Sequence, residues 1–325
     1  MSSDTLVKLA LQTLGCSQKE LAKRLGVSPS QISKWKATEY ISLEMSDRLK
    51  EIAEIEGYDS DFIYWVGGIE QGRKWEKLVI EIAEYALMDC ESGYVTTPLQ
   101  ADDKNDARGM LCFATVNILT NLGVTIPQVF PEELLLNDSD INANSDFHWE
   151  RREKSHLYRL IRDGYGALNN VYGFFQAYIA PIVFEPSSEF PSDDEVEIYN
   201  LGMEMESQLI YLAFSMVGKE SVFTPNVSSF QNKINKTFVE YIGKIKQYAF
   251  HESIPLKVEL SDLLSGDSES LRESTELSIL GFNLDQLHPD IYMNEILHNL
   301  RFIRRVLPAI CEKFGIPDLD YKEKN

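Results

Sequence analysis

The sequence predicts a mainly α-helical protein, with a small N-terminal domain of four to five helices followed by a larger, mostly helical and acidic domain. Apolar residues recur at helical spacing along most of the chain, and polar stretches rich in breakers separate these segments. Signals for β-hairpins are missing. A length of 325 residues suits about two domains, and we expect them to span residues 1–66 and 67–325.

The composition indicates an ordinary globular protein, with 44% hydrophobic and 25% charged residues. No stretch approaches the ~20 apolar residues of a membrane span, and the start of the chain lacks the pattern of a signal peptide. Four scattered cysteines without a CxxC pair favour neither a disulfide framework nor a zinc site. We therefore expect a cytoplasmic protein with no membrane partner.

The N-terminal domain is predicted from short helical segments with clear boundaries. Its four helices are expected at residues 4–14, 17–25, 28–37 and 42–56, with Gly57 ending the fourth. The apolar segment 61–69 should either pack beneath this domain or join it to the next.

The larger domain is predicted from apolar periodicity alone, so its topology stays open. Helices are expected near residues 75–88, 107–122, 148–180, 194–217, 229–250 and 290–314. Loops are expected at 91–106, 137–146, 185–194 and 265–270. Short extended pieces stay open at 181–186 and 256–260, where hairpin signals are missing.

Charge is distributed unevenly along the chain. The net charge is −20, yet residues 1–36 hold six basic and two acidic side chains. Residues beyond 77 carry −19, and no Lys or Arg occurs between Arg162 and Lys219. Contact with a polyanion needs local positive charge rather than a basic protein. The pattern indicates a mildly basic module attached to a large acidic body.

The most informative stretch runs from Ser17 to Lys36. Ser17 and Glu20 form an S-x-x-E capping box that starts one helix. Gly26 lies where a left-handed turn residue should end it. The inward residues of this helix are predicted to be Leu21, Ala22 and Leu25.

A second short helix follows the turn. Ser28 caps it, Pro29 suits its first position, and Gln31 completes a second S-x-x-Q box. Ile32 and Trp35 should face the core. Two helices joined by a short turn that contains glycine have helix-turn-helix geometry.

These residues resemble the helix-turn-helix of the Cro and phage-repressor type, the XRE-like family. The resemblance covers about residues 4–56 and rests on Gln18, Leu21, Ala22, Gly26, Val27, Ser28, Ile32, Ser33 and Trp35. It implies that the second helix enters the major groove of DNA and reads base edges with its N-terminal residues. The implied base contacts come from Pro29, Ser30 and Lys34, flanked by Gln31 and Ser33. The implied phosphate contact comes from Gln18, where a helix N-terminus also favours an anion.

The helical wheel agrees with that assignment. With Ile32 in the core, Ser30 and Lys34 point about 160° and 200° away, at 100° per residue. Lys34 is the long donor on this face and the best candidate for guanine O6 and N7. The chain departs from the family at Lys36 and in the following loop, where Lys36 and Tyr40 could add backbone contacts. The predicted DNA-binding residues are therefore Gln18, Ser28, Pro29, Ser30, Gln31, Ser33, Lys34, Lys36 and Tyr40.

Two other features are ambiguous. Residues 67–74 place two glycines as a phosphate-binding loop does, but Arg73 and Lys74 stand where Lys and Ser/Thr are needed. The C-terminal helix has a basic cluster, Arg301, Arg304 and Arg305, beside an apolar stripe of Ile291, Ile296, Leu297, Leu300, Ile303 and Leu307. It is either a core-facing helix with paired arginines or a contact for an anion, a partner or DNA.

The predicted function is a sequence-specific DNA-binding transcriptional regulator, a repressor acting as a homodimer on double-stranded DNA. No catalytic motif, metal-ligand spacing or cofactor motif was found, so no enzyme, metal or cofactor is predicted. The alternative is an antitoxin-like or defence-associated protein whose acidic body binds a basic protein partner. A small-molecule effector on the C-terminal domain and an enzyme fused to a targeting domain also stay open.

Overall fold

The computed structural model describes residues 3–37, 40–55, 57–100, 107–135, 151–185, 192–217, 222–265, 267–282 and 289–314. Within these ranges every regular element is helical. The predicted mainly α-helical class is confirmed.

Five helices form the N-terminal region. They are α1 (Ser3–Leu14), α2 (Gln18–Leu25), α3 (Pro29–Lys36), α4 (Leu43–Ala53) and α5 (Ser60–Trp65). α1 packs against α3, α4 and α5, because its apolar face is buried through Leu6, Val7, Leu9 and Ala10. The predicted bounds of the first three helices agree with the structure to within a residue or so.

The end of α4 was predicted wrongly. The helix ends at Ala53 rather than near Glu56, and Glu54 takes the left-handed conformation with φ 57°. The amide of Ile55 donates to the carbonyl of Lys50 at 3.1 Å, and the Ile55 side chain is fully buried. Ending the helix early turns this apolar side chain into the core, which outweighs the cost of a left-handed Glu54.

The apolar segment after α4 forms α5. Asp59 caps it, with its carboxylate accepting from the amides of Asp61 at 2.7 Å and Phe62 at 3.3 Å. Phe62 and Ile63 are fully buried, and α5 packs against α1, α6 and α7. The segment therefore both packs beneath the first four helices and joins them to the rest of the molecule.

Nine helices form the body. They are α6 (Ile69–Met88), α7 (Ala107–Asn121), α8 (His156–Phe174), α9 (Ala180–Val183), α10 (Asp193–Val217), α11 (Val227–Glu252), α12 (Asp262–Ser265), α13 (Ser268–Ile279) and α14 (Pro289–Phe314) among the described residues. A π-helical segment, Phe175–Ile179, connects α8 to α9. Predicted loop 137–146, parts of loops 91–106 and 185–194, and residues 148–150 lie outside the described ranges.

Three predictions for the body were wrong. The proposed extended piece near 181 is helical, since α8 continues through the π-helical segment into α9. Residues 256–260 form no strand, and buried Leu256 and Leu260 anchor an irregular loop instead. The predicted loop 265–270 contains the start of α13, where Asp267 accepts from the amide of Ser270 at 2.8 Å.

α8 is the central helix of the body, packed by α6, α10 and α13. Gly164 permits the close approach of α10, because a Cβ there would lie 2.6 Å from the ring of Phe214. The Tyr165 hydroxyl lies 2.6 Å from Thr115 Oγ1 on α7. The buried Asn169 amide donates to the carbonyl of Ala86 at 2.6 Å. These polar contacts fix α8 against α6 and α7.

The N-terminal helices are joined to the body by direct contacts. Gln128 Nε2 donates to the carbonyl of Trp65 at 2.8 Å, and the Tyr58 hydroxyl donates to the Glu76 carboxylate. A Cβ on Gly109 would lie 2.3 Å from the carbonyl oxygen of Gly57, so α7 begins directly against the turn before α5. Among the described helices, none combines the length and hydropathy of a membrane span.

Candidate nucleic-acid interface

The first helix of the motif, α2, begins at a complete capping box. Ser17 Oγ accepts from the amide of Glu20 at 3.3 Å, and the amide of Ser17 donates to Glu20 Oε2 at 3.1 Å. The hydrogen bond from the Ser17 backbone, with that from its hydroxyl, lowers the pKa of the Glu20 carboxyl. The predicted box is confirmed, and it fixes the helix terminus that carries Gln18.

Gly26 makes the turn between α2 and α3. Its φ is 71°, in the left-handed region that a Cβ disfavours. A Cβ there would meet no atom within 4 Å, so the requirement for glycine comes from backbone conformation rather than space. The amide of Val27 then donates to the carbonyl of Ala22 at 2.9 Å and closes the turn.

The second helix, α3, starts at Ser28. Its hydroxyl accepts from the amide of Gln31 at 3.2 Å, which is the Ser28 half of the predicted box. Pro29 takes the first helical position, where its missing N–H costs no helical hydrogen bond.

Burial fixes the rotational phase of both helices. Leu21 and Ile32 are fully buried and Trp35 is 5% exposed, as predicted for core residues. Ser30 and Lys34, on the opposite side of α3 from Ile32, are exposed. The outward face of α3 is therefore polar and reachable by a ligand as large as a duplex.

Three serine hydroxyls at this face already have hydrogen-bond partners within the motif. Ser33 Oγ donates to the carbonyl of Pro29 at 3.2 Å, and the hydroxyls of Ser28 and Ser30 lie 2.8 Å apart. With its proton directed to Pro29, Ser33 can offer an approaching base only its acceptor lone pairs. Lys34 supplies the long cationic side chain of this face.

The remaining predicted residues surround α3. Gln18 is half-buried at the first position of α2, and Lys36 is half-buried at the last position of α3. Tyr40 is 82% exposed in the segment after α3. The structure also exposes 79% of Leu43, at the first position of α4.

Positive charge accompanies this face. Lys19, Lys23 and Arg24 of α2 are exposed with Lys34 of α3, whereas Asp4 accepts from Lys8 at 2.6 Å on α1. The basic side chains of residues 1–36 are therefore concentrated on the two helices of the motif, where phosphates would lie.

The glycines near residue 70 do not form a phosphate-binding loop. Gly67 and Gly68 lie in the turn between α5 and α6, with φ of 91° and 115°. Gly72, Arg73 and Lys74 lie inside α6. Among the described residues, no three His, Cys, Asp or Glu side chains form a group suited to a metal ion.

Comparison with known proteins agrees with this geometry. Residues 7–53 match a family model described as helix-turn-helix, and the N-terminal region is of the XRE type, as its residues indicated. This region is thus a DNA-binding domain of the kind that transcription regulators carry. Searches of curated proteins and of solved structures found no match to the chain.

Proposed function

We propose that this protein is a sequence-specific transcriptional repressor that binds double-stranded DNA as a homodimer. The observation that carries the proposal is the outward face of α3, which is polar, exposed and basic within a helix-turn-helix whose apolar face is fully used in the core. We keep the division at residue 66, with α1–α5 as the DNA reader and the helices from α6 onward as the body.

In this proposal each side chain of the interface has a stated role. Lys34 donates to guanine O6 and N7, Ser30 contacts an adjacent base, and Pro29 offers an apolar contact to a thymine methyl group. Gln18 and the first-turn amides of α2 bind a phosphate. Lys36 and Tyr40 contact the backbone on either side, while Ser28, Gln31 and Ser33 flank the reading positions.

A single module reads too few bases to be selective. One good bidentate contact contributes about 1–3 kcal/mol of discrimination, whereas useful specificity is about 4–10 kcal/mol over random DNA. Two copies of the module related by a two-fold axis contact twice as many bases and provide the remaining discrimination. Helix-turn-helix dimers place their reading helices about 34 Å apart, on one side of the duplex.

α14 is the element best suited to join two copies. Six of its apolar residues from Ile296 onward alternate at spacings of four and three, the pattern of a coiled-coil seam. The seam consists of Ile296, Leu300, Ile303, Leu307, Ile310 and Phe314. Leu300 is 54% and Ile303 52% exposed, and no other described helix packs extensively along α14.

The exposure of the seam argues against the simpler interpretation of α14. A core-facing helix would bury Leu300 and Ile303, whereas both are more than half exposed; among the described side chains of α14, Cys311 is buried. Arg301, Arg304 and Arg305 are exposed as well and lie beside the seam rather than in it. Covering the seam in two copies would bury on the order of 1,000 Å², which is near the lower limit for a specific interface.

The function is tested by selecting DNA sites with the full-length protein from a pool of random duplexes. A repressor of this type should enrich one motif with two related half-sites, and a reporter promoter carrying that motif should be expressed less when the protein is present. Lys34→Ala should reduce affinity for the selected site by about tenfold or more and affinity for random DNA much less. Gln18→Ala should weaken both similarly.

Lys244→Ala is the matched control, since it removes one exposed positive charge from α11. This variant should bind the selected site and random DNA with affinities within about twofold of those of the wild-type protein. Failure to enrich any motif, or equal losses on specific and random DNA for Lys34→Ala, would contradict the proposal. Recovery of a stoichiometric basic protein with the body would instead favour the antitoxin-like alternative.

A further inference from the structure

A cavity of about 350 Å³ opens in the body, at the junction of α9, α10 and α11. Its volume lies within the range of about 300–1,000 Å³ typical of small-molecule sites. Its walls are formed by the end of α9 and the two residues after it, the first two turns of α10, and one residue of α11. The lining residues are Ile182, Val183, Phe184, Glu185, Glu195, Val196, Ile198, Tyr199 and Tyr248.

The lining combines apolar walls with carboxylates and contains no cation. Four aliphatic side chains and three aromatic rings surround the space, and its acidic side chains are Glu185 and Glu195. No Lys or Arg occurs between Arg162 and Lys219, and no His between His156 and His251. Residues 182–185 and 195–199 supply eight of the nine lining residues, and both segments lie where the chain has no Lys, Arg or His.

Glu195 is held in place in the cavity wall. It is 8% exposed, and its Oε2 accepts from the amide of Ser192 at 2.6 Å. The Ser192 hydroxyl in turn accepts from the amide of Glu195 at 3.2 Å. This capping box orients the carboxylate at the start of α10, whereas Glu185 is exposed at the mouth.

Aromatic rings lie beside these carboxylates. The rings of Phe184 and Tyr199 meet edge to face, with centroids 5.3 Å apart. Burial, followed by the negative charges of Glu195, Glu252 and Asp194, raises the pKa of Tyr248. The phenol of Tyr248 therefore experiences the same negative field as the cavity.

We infer that this cavity binds a compact apolar organic cation. Aromatic faces attract a cation through their quadrupole, the carboxylates attract it through its charge, and the aliphatic walls favour a low-polarity body. An anion of the same size would be repelled by the carboxylates of Glu185 and Glu195 and would find no Lys, Arg or His in the lining to offset that repulsion. The π-helical segment Phe175–Ile179 immediately precedes this site, and such segments are frequent at functional sites.

The test uses two probes of the same shape and opposite charge, tetraphenylphosphonium and tetraphenylborate, titrated into the full-length protein by calorimetry without DNA. The cation should bind with one-to-one stoichiometry and at least about tenfold more tightly than the anion. Glu185→Gln and Tyr199→Ala should each weaken cation binding by about three- to tenfold. Circular dichroism verifies that each variant keeps its helices.

Glu197→Gln is the control, because Glu197 lies on the same helix outside the lining and faces Lys244 at 3.9 Å. It should change affinity by less than about twofold. Equal binding of the two probes, absence of saturable cation binding, or equal effects of Glu185→Gln and Glu197→Gln would each overturn the inference. Since DNA is absent from the titration, none of these outcomes bears on the proposed function.

Discussion

α3 and α14 leave opposite kinds of surface to solvent. α3 is eight residues long, and its two large apolar side chains, Ile32 and Trp35, are buried while its polar side is exposed. α14 is 26 residues long, and the apolar residues of its seam are among its exposed ones. The apolar face of α3 is buried in the core of its own domain, whereas the apolar seam of α14 is exposed and can contact a second surface.

This difference indicates what each helix can recognise. A polar face on a fixed helix suits hydrogen bonding to base edges and phosphates, and it has little apolar area with which to hold a protein. An apolar face repeating every seven residues suits another helix of the same kind. DNA recognition and dimerisation would then depend on separate helices. The variants below test whether each function can be changed without the other.

The largest effect is expected from charges in the α14 seam. Leu300→Asp with Leu307→Asp puts two carboxylates in each copy where apolar side chains would pack. We expect the dissociation constant of the dimer to rise at least about a thousandfold, measured by analytical ultracentrifugation of the full chain. Arg301→Asp changes a charge beside the seam and should raise the dissociation constant of the dimer far less. A wild-type chain that is monomeric at ~100 μM, or a double variant that still dimerises, would break the comparison.

The same substitution on the two regions should affect different properties. Leu21→Ala removes a fully buried side chain of α2 and should lower the free energy of unfolding by about 2–5 kcal/mol. Leu300→Ala removes a side chain that is 54% exposed and should change it by less than about 0.5 kcal/mol in dilute monomer. Urea unfolding of both variants provides the measurement. A large loss for Leu300→Ala would mean that α14 packs within its own chain.

A smaller effect is expected at Lys36. Its half-buried position at the end of α3 suits the DNA backbone rather than a base edge. Lys36→Ala should weaken specific and random duplexes by the same factor and reduce the slope of log K against log salt by about one. A loss of affinity confined to the selected site would indicate that Lys36 contacts a base edge.

The smallest effect concerns pH and lies in the body. Partial burial raises the pKa of Glu259, but hydrogen bonds from Lys246 and Ser261 outweigh it and lower the pKa to about 2. A depressed pKa in the folded state adds stability above the unfolded pKa of about 4.3, and this is lost as the pH falls towards 2. Lys246→Met should reduce the stability lost between pH 5 and pH 3, measured by urea unfolding.

Lys244→Met is the control for that measurement, because Lys244 faces Glu197 at 3.9 Å with both side chains largely exposed. It should leave the pH dependence of stability almost unchanged. If the wild-type chain and Lys246→Met lost the same stability between pH 5 and pH 3, the ion pair of Lys246 would have no role in the acid response.

The N-terminal motif could be predicted because local interactions determine it. Ser17, Glu20, Gly26 and Ser28 act on backbone groups within four residues of themselves, so their spacing in the sequence fixes the helix ends. The end of α4 was mispredicted for the converse reason. Ile55 is drawn into a core built by other helices, and that demand does not appear in the local pattern.

The body was predictable only as a set of helices. Their approximate bounds follow from apolar periodicity, but the packing of α8 against α6, α10 and α13 depends on contacts distant in the chain. Thr96 and Asn169 show the difficulty, since their side chains meet at 2.7 Å across 73 residues. The cavity escaped prediction for the same reason, because Tyr248 on α11 and Phe184 just after α9 approach it from distant parts of the chain.

The π-helical segment Phe175–Ile179 sets the angular position of everything that follows it on the same helical rod. A π turn accommodates one more residue than an α-helical turn. Because the wider turn absorbs that extra residue, deleting one residue there and restoring α-helical geometry would leave the rotational phase of α9 almost unchanged. A deletion in the α-helical part of α8 would instead rotate α9 by about 100° about its axis and turn Phe184 and Glu185 out of the cavity wall. The π turn is thus the place on this rod where one residue can be lost while the pocket wall keeps its orientation.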